Sequence, residues 1–443
     1  MELTAIDPKT GKVLLSQQGF LSKDSFRKTL VSMLPDLDMS QVTIVADGVM
    51  EGQEGEPKPS PKGVIWRGPF FDLGGYANMN REISLGLVRH GFQVKLDPLQ
   101  TAPQADPETT RTIVLLSHTK LKDEGLCPMV VGFTPMPIQR PGRRTVFFTM
   151  METRRLHPEF VARCNRYSTE VWVPCKFYRD VFKESGVAKP IHVMPLGINE
   201  KLYRPEAKEP AARYEEMPSG DVVERLPNKF RFISLFGWSK RKGPDILCRS
   251  FLRAFKPTDD ACLVIYARYY GGSTEAHKEY VRKEIRSYYA EVGNKGPAIY
   301  YCGDPFTIDA LPGIYPAADC FVFCSRGEGF GLPVVEAGAC GIPVISSYNT
   351  SMTEYLDDDV AYLVRQEGWE LADEAFTWIT EFYKGQEFAK MGEKSVAQFS
   401  EHMLSVYRDR KGAGEKARKF RERVLRDYTW DACVDRVARR LSS

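Results

Sequence analysis

The sequence predicts an α/β protein: two Rossmann-like, doubly wound domains facing a cleft, with a small N-terminal extension. Three observations predict it. Short apolar strands alternate with amphipathic helices, which means parallel sheets covered on both faces. The alternation breaks once, over the proline- and charge-rich Asn199–Asn228, and then restarts. A chain of 443 residues that is 43% hydrophobic can bury more than one core.

The elements follow in order. "LTAIDPKTGKVLLSQQ" reads as a hairpin around Gly11 and Lys12, and "SQVTIVADG" as one more strand. Glu51–Gly63, polar and proline-rich without periodicity, is a linker, so residues 1–60 form an extension and residues 61–198 the first domain. In that domain "GVIWRG", "QVKLDP", "RTIVLLSH", "RTVFFTM", "EVWVPC" and "PIHVMPLG" read as strands. "ANMNREISLGLVRHG", "HPEFVARCNRY" and "CKFYRDVFKESG" read as helices, the first ended by Gly91. The second domain, residues 199–420, contributes the strands "RFISLFGW", "ACLVIYARY", "AIYYCG", "CFVFCS" and "PVISS". Helices "GPDILCRSFLRAF" and "TEAHKEYVRKEIRSYYAEVG", a short "LPGIYPAA" and a helix through Glu336 lie between them. The C-terminal stretch "KARKFRERVLRDYTWDACVDRVARRL" is basic and helical, interrupted near Tyr428.

Composition excludes several classes. Lysine and arginine total 61 against 58 acidic residues, a balance that argues against nucleic-acid binding. There is no apolar run long enough to span a bilayer and no basic start followed by an apolar core, so a cytoplasmic protein is expected. The alternative use of the basic C-terminal helix is a peripheral membrane contact. The ten cysteines sit at irregular positions inside apolar runs and read as reduced core residues. Six histidines without clustered spacing give no zinc site. "DLD" at Asp36–Asp38 and "DDD" at Asp357–Asp359 do not follow apolar strands as a divalent-cation site would require, so no metal is expected.

The densest chemical signal is "SRGEGFGLPVVEAGACGIPVIS", Ser325–Ser346. Gly327, Gly329 and Gly331 lie in a strand-to-helix turn, and Pro333 suits the first helical turn. Such a turn lets backbone N–H groups approach a ligand, and the helix N-terminus favours a diphosphate. Glu336, about one turn along, is placed on ribose hydroxyls, and Glu328 on whatever the diphosphate carries. "SKRKG" supplies Lys240, Arg241 and Lys242 after a strand and before a helix, cations suited to the negative charge of a leaving diphosphate. Gly74 and Gly75 hold the equivalent place in the first domain. His118 and Glu152 are read at the carboxyl ends of strands.

"EGFGLPVVE" resembles the Glu-x7-Glu signature of retaining glycosyltransferases of family 4, whose two Rossmann-like domains form the GT-B fold. "GWSKRKGPDILCRSFLRAF", "AADCFVFCS", "HVMPLGINEKLYRP" and "ETRRLHPEFVARCNRYSTEVWVPCKFYRDVFKESGV" resemble further segments of that family in the same order. The resemblance covers roughly Gly63–Ser443. It implies metal-independent transfer of a sugar from a nucleoside diphosphate with retained configuration, and no cofactor. A UDP-sugar is favoured over a GDP-sugar. The acceptor, whether glycan, lipid-linked, protein or small molecule, stays open. By motif, Glu336 would hold the ribose, and Glu328 with the backbone of Gly329, Phe330, Gly331 and Leu332 the transferred sugar. Lys242, with Lys240 or Arg241, would hold the diphosphate, and the Gly74–Gly75 loop would face it. His118 and Glu152 would lie toward the acceptor, and residues 421–443 would cross back onto the first domain. Trp238 stands where many members have an arginine, which leaves the phosphate clamp to Lys240 and Arg241. A nucleotide-sugar epimerase or hydrolase, and a non-catalytic nucleotide-sugar-binding protein, are the alternatives.

Overall fold

Two parallel sheets form because their strands are apolar along their whole length and must be covered on both faces. The computed structural model describes residues 2–6, 13–18, 43–46, 63–72, 74–99, 107–138, 143–269, 274–304, 310–372 and 383–443. Strands β1 (Glu2–Ile6), β2 (Val13–Gln18) and β3 (Thr43–Ala46) make a small antiparallel sheet in the order β2-β1-β3. The hairpin turn at Gly11–Lys12, the Glu51–Gly63 linker up to residue 62 and Asp36–Asp38 lie outside the described residues.

The first parallel sheet contains β4 (Gly63–Gly68), β5 (Gln93–Pro98), β6 (Met129–Val131), β7 (Thr145–Phe148), β8 (Glu170–Val173) and β9 (Ile191–Val193). Its order is β5-β4-β6-β7-β8-β9. The sequence reading of "RTIVLLSH" as a strand is corrected: residues Pro107–Ser117 are a helix, and the strand in that place is β6, in "CPMVV". The β-branched run reads as a strand locally. Yet Ile113 and Leu116, three residues apart, are buried while Val114 between them is exposed, which is helical periodicity.

The second sheet contains β10 (Tyr214–Met217), β11 (Asp221–Val223), β12 (Phe230–Trp238), β13 (Ala261–Tyr269), β14 (Ile299–Cys302), β15 (Cys320–Phe323), β16 (Val344–Tyr348) and β17 (Tyr362–Arg365). Its order is β11-β10-β14-β13-β12-β15-β16-β17. Part of the proline- and charge-rich break read as a connection is thus a hairpin: β10 and β11 extend the sheet antiparallel beside β14. A further pair, β18 (Trp369–Leu371) and β19 (Glu387–Ala389), is antiparallel. All ten cysteines are free and buried.

The chain passes between the sheets twice at one place. The Ile198 amide donates to the Tyr428 carbonyl at 2.9 Å, and the Trp430 amide to the Ile198 carbonyl at 3.1 Å. Before this crossing, the helix Arg410–Asp427 packs on the helix Leu332–Ala339, with Phe420 lying on Gly338. After it, the helix Trp430–Ser442 packs on the helix Gly75–Arg89, with Val434 lying on Gly86. Its far end is tied to the first sheet by Glu170, a buried carboxylate of β8 that accepts Arg144 Nε at 2.8 Å and Arg440 Nε at 2.9 Å. No described helix is long and apolar enough to cross a membrane.

Gly338→Ala tests the first of these contacts. A Cβ there would overlap the fully buried Phe420 ring. The overpacking, about 1–3 kcal/mol, should exceed the gain of under about 1 kcal/mol from replacing a helical glycine. Thermal unfolding should therefore move to lower temperature by a few degrees; an unchanged or raised midpoint would show that Phe420 gives way freely.

Candidate active site

Both sheets reverse direction at one point, and the candidate residues gather there. β12 pairs with β13 on one side and β15 on the other. The loops leaving the carboxyl ends of β12 and β15 are therefore neighbours at a topological switch point, where open α/β sheets bind ligands. In the first sheet β4 lies between β5 and β6, so Pro69–Asp72, which follow β4, lead into the equivalent crevice.

The loop after β12 makes a short 3-10 turn, Lys240–Lys242, and ends on Gly243 with φ +69°. A side chain there would meet the Cys324 carbonyl, so glycine lets the two loops touch. The Arg326 amide donates to the Arg241 carbonyl at 2.7 Å, and the Arg326 guanidinium donates to the Lys240 carbonyl at 2.7 Å. The same guanidinium pairs with both oxygens of Asp245 at 2.9 and 2.8 Å, which spends its charge on structure. The Ser325 carbonyl accepts Ser347 Oγ at 2.6 Å and Asn349 Nδ2 at 3.0 Å. Gly331, φ +80°, then admits the chain to the helix Leu332–Ala339.

Glu328 sits at the centre of this turn and is buried. Its Oε1 accepts Lys242 Nζ at 2.6 Å, Ser325 Oγ at 2.5 Å and Arg241 at 3.2 Å. Burial works to raise the pKa of this carboxyl, but Lys242 and Arg241 outweigh it and hold the group below its ordinary value. Two cations around one carboxylate leave one net positive charge at the mouth of the turn. The Lys242 ammonium also lies 5.6 Å from the centre of the Phe323 ring.

Glu336 lies in a different environment. Its Oε2 accepts Tyr315 OH at 2.5 Å, and the Tyr203 ring packs beside Tyr315 with centroids 6.0 Å apart. Burial raises its pKa to about 7, against the lowering effect of the two phenols. The C-terminal end of its helix is capped by Arg421, whose Nε donates to the Ala339 carbonyl at 3.0 Å.

The first domain meets the glycine turn directly. Gly74 caps the helix Gly75–Arg89, its amide held by Asp72 at 2.7 Å, and Gly75 has open space where a Cβ would be. Tyr76 OH accepts the Met150 amide at 2.7 Å and fixes the loop after β7. That loop lies on the second domain: Met150 packs on Gly329, and the Glu152 carbonyl packs on Gly327. Tyr178 OH donates to the Glu328 carbonyl at 2.8 Å.

The fold thus brings Lys240, Arg241, Lys242, Glu328 and Gly329–Leu332 together. Glu336 lies on the helix leaving the turn, and Glu152 belongs to the loop packed against the turn. Phe330 offers its backbone alone, because its ring is buried against Tyr355 and Tyr428. Glu152 Oε2 accepts Tyr383 OH at 3.0 Å. His118 is not where the sequence placed it. It follows a helix rather than a strand, is exposed, and its Nδ1 lies 2.8 Å from the Val114 carbonyl of that helix. Trp238 is buried beside Phe236. Tyr76, Tyr178, Tyr203, Tyr315 and Tyr383 were missed; Tyr76 directly follows the Gly74–Gly75 pair, and the other four reach the site from segments that no local motif marks.

Residues 227–380, which include both switch-point loops and Glu336, match the family model described as "Glycosyl transferases group 1". The chain is 24% identical over 223 residues to D-inositol 3-phosphate glycosyltransferase of Acidothermus cellulolyticus. That match covers 50% of this chain and 44% of the relative, so it spans less than half of the relative's length. A shorter stretch of 48 residues is 52% identical to O-antigen chain mannosyltransferase B of Escherichia coli, covering 11% of this chain and 13% of that protein. Among solved structures, Anabaena HepE in complex with UDP and glucose superposes with a TM-score of 0.58 at 14% identity, over 86% of this chain and 99% of that one. Sucrose-phosphate synthase of Thermosynechococcus elongatus gives 0.58 at 16% identity, over 85% and 98%. At these identities the structural likeness carries the fold: a GT-B arrangement of two Rossmann-like domains.

Glu328→Gln should destabilise the protein at pH 7 by about 3 kcal/mol, because it leaves two buried cations without their anion. A carboxyl whose native pKa lies below its unfolded value stabilises above the unfolded pKa, about 4.3, and loses that contribution as pH falls through the native pKa. Denaturant unfolding from pH 7 to 3 should accordingly show the gap between wild type and variant narrowing toward acid. A gap that stays constant with pH would exclude the ion cluster as its source.

Proposed function

We propose that the protein is a retaining glycosyltransferase that moves a sugar from a nucleoside diphosphate to an acceptor hydroxyl without a metal ion. One observation carries the reading: at the switch point of the second sheet a glycine turn, a helix N-terminus and Lys242 with Arg241 meet around Glu328. The family match over this region supports sugar transfer, and HepE, solved with UDP-glucose, supports a UDP-sugar as the donor.

In this reading the diphosphate lies against the amides at the start of the helix Leu332–Ala339 and against Lys242, with the ribose on Glu336. The sugar sits at the edge of the turn Gly327–Leu332, on the side of the Gly74–Gly75 loop. As the bond from the anomeric carbon to the phosphate oxygen breaks, negative charge grows on that oxygen. The net positive charge of the Lys242, Arg241 and Glu328 group, fixed before the donor arrives, stabilises it. The acceptor oxygen bonds to the same face of the anomeric carbon, and its proton passes to the leaving phosphate. Glu152, held by Tyr383 beside Gly327, orients the acceptor. The cytoplasm is the proposed location.

Two variants test the reading with donor and acceptor panels. Glu336→Ala should raise the donor KM about tenfold or more, the loss of a charged hydrogen-bond acceptor. Lys242→Ala should lower kcat by about 10²-fold or more, the effect of removing one preorganised stabiliser of transition-state charge. Full activity in both would end the assignment, and donor turnover without an acceptor would redirect it to hydrolysis or epimerisation.

A further inference from the structure

The neighbours of Glu336 are unusual for a partly buried acid. No ion pair among the described residues includes it; its side-chain hydrogen bond comes from the phenol of Tyr315, against which Tyr203 packs. Tyr315 is fully buried just after the 3-10 turn Leu311–Ile314. Its ring packs edge-on against Phe321 of β15 at 5.5 Å and against Tyr203 at 6.0 Å, so packing fixes where its hydroxyl points. Tyr203 comes from the segment that follows the first crossing between the sheets, its amide bonded to the Asn199 carbonyl at 2.9 Å. Three elements thus converge on one carboxylate. The other ionisable groups around it are Cys340 at the end of its own helix, Arg421 on the Ala339 carbonyl, and Glu82 of the first domain, which faces Tyr203.

Resting on the reading of Glu336 as the ribose acceptor, we propose that Tyr315 and Tyr203 are positioning residues that hold the Glu336 carboxylate in its ionised, hydroxyl-accepting form. A cation in their place would neutralise the carboxylate and weaken it toward a neutral diol. Phenols fix its orientation and leave its charge for the ribose hydroxyls, which makes those hydrogen bonds charge-assisted.

A pH dependence follows. With a pKa near 7, Glu336 loses its charge as pH falls through neutrality, and its preference for a ribose over a deoxyribose falls with it. Removing the Tyr315 phenol removes a hydrogen bond that is stronger to the charged form than to the neutral one, so the transition moves to higher pH.

The experiment is calorimetric binding of UDP and 2′-deoxy-UDP, with the guanosine pair alongside, from pH 5.5 to 9. The ratio of the two Kd values cancels the titration of the phosphates. In wild type the deoxy form should bind about tenfold or more weakly above neutrality, with the ratio falling toward one on the acid side. Tyr315→Phe and Tyr203→Phe keep the rings; the first should shift the midpoint upward by about one pH unit, the size of one hydrogen bond to a charged group, and the second in the same direction by less. Glu336→Gln should show a small ratio with no pH dependence. If that ratio collapses while both phenylalanine variants keep the wild-type midpoint, the tyrosine roles are overturned and the ribose reading stands. If Glu336→Gln keeps the wild-type ratio, or wild type binds none of the four nucleotides, both fall.

Discussion

Everything at the cleft depends on pairing one buried carboxylate. Glu328 cannot stay ionised in the interior without cations, and the only way to bring them is from the strand next door. β12 and β15 are neighbours because the chain reverses there, so Arg241 and Lys242 at the end of one strand meet Glu328 at the end of the other. The same residue holds the first domain through its carbonyl, which Tyr178 reaches. Sheet order, the cation loop and the junction of the domains are in this sense one arrangement seen at three scales.

The two glutamates of the motif divide their work by surroundings, not by chemistry of their own. Glu328 has ammonium and guanidinium partners that hold its pKa below the ordinary carboxyl value. Glu336, eight residues on, has phenols alone and titrates near neutrality. One is fixed charge belonging to the frame; the other is an acceptor whose strength solution conditions can set. Environments that push two carboxyls apart in this way commonly separate a structural or electrostatic role from a ligand-facing one.

The alternation of strands and helices was legible because parallel strands are apolar on both faces and leave long runs in the sequence. "TIVLL" failed as a local reading, since an apolar β-branched run fits an edge helix with one side in water equally well. β6 escaped because three residues after a proline carry almost no pattern. β10 and β11 escaped because both carry charges, Glu215 and Glu216 on β10 and Asp221 on β11, which is the sheet edge. At the site, the glycines and cations lie in continuous motifs and could be found. The tyrosines could not: Tyr315 is 21 residues from the carboxylate it serves, and Tyr178 is 150 residues from its partner. Their contacts exist only after the domains have met.

The single crossing point has a consequence for how the molecule is made. The helix Trp430–Ser442 completes the first domain, covering the helix Gly75–Arg89 and bonding to Glu170. Yet the last strand of that domain's sheet ends at Val193, and the whole second domain is synthesised in between. At ordinary ribosome speeds this is an interval of roughly 10–50 s. Through it the surface around Gly86 waits uncovered and Glu170, already paired with Arg144, waits for Arg440. The second domain therefore folds beside an unfinished neighbour, and the cleft can take its final form only when the chain has returned to where it started.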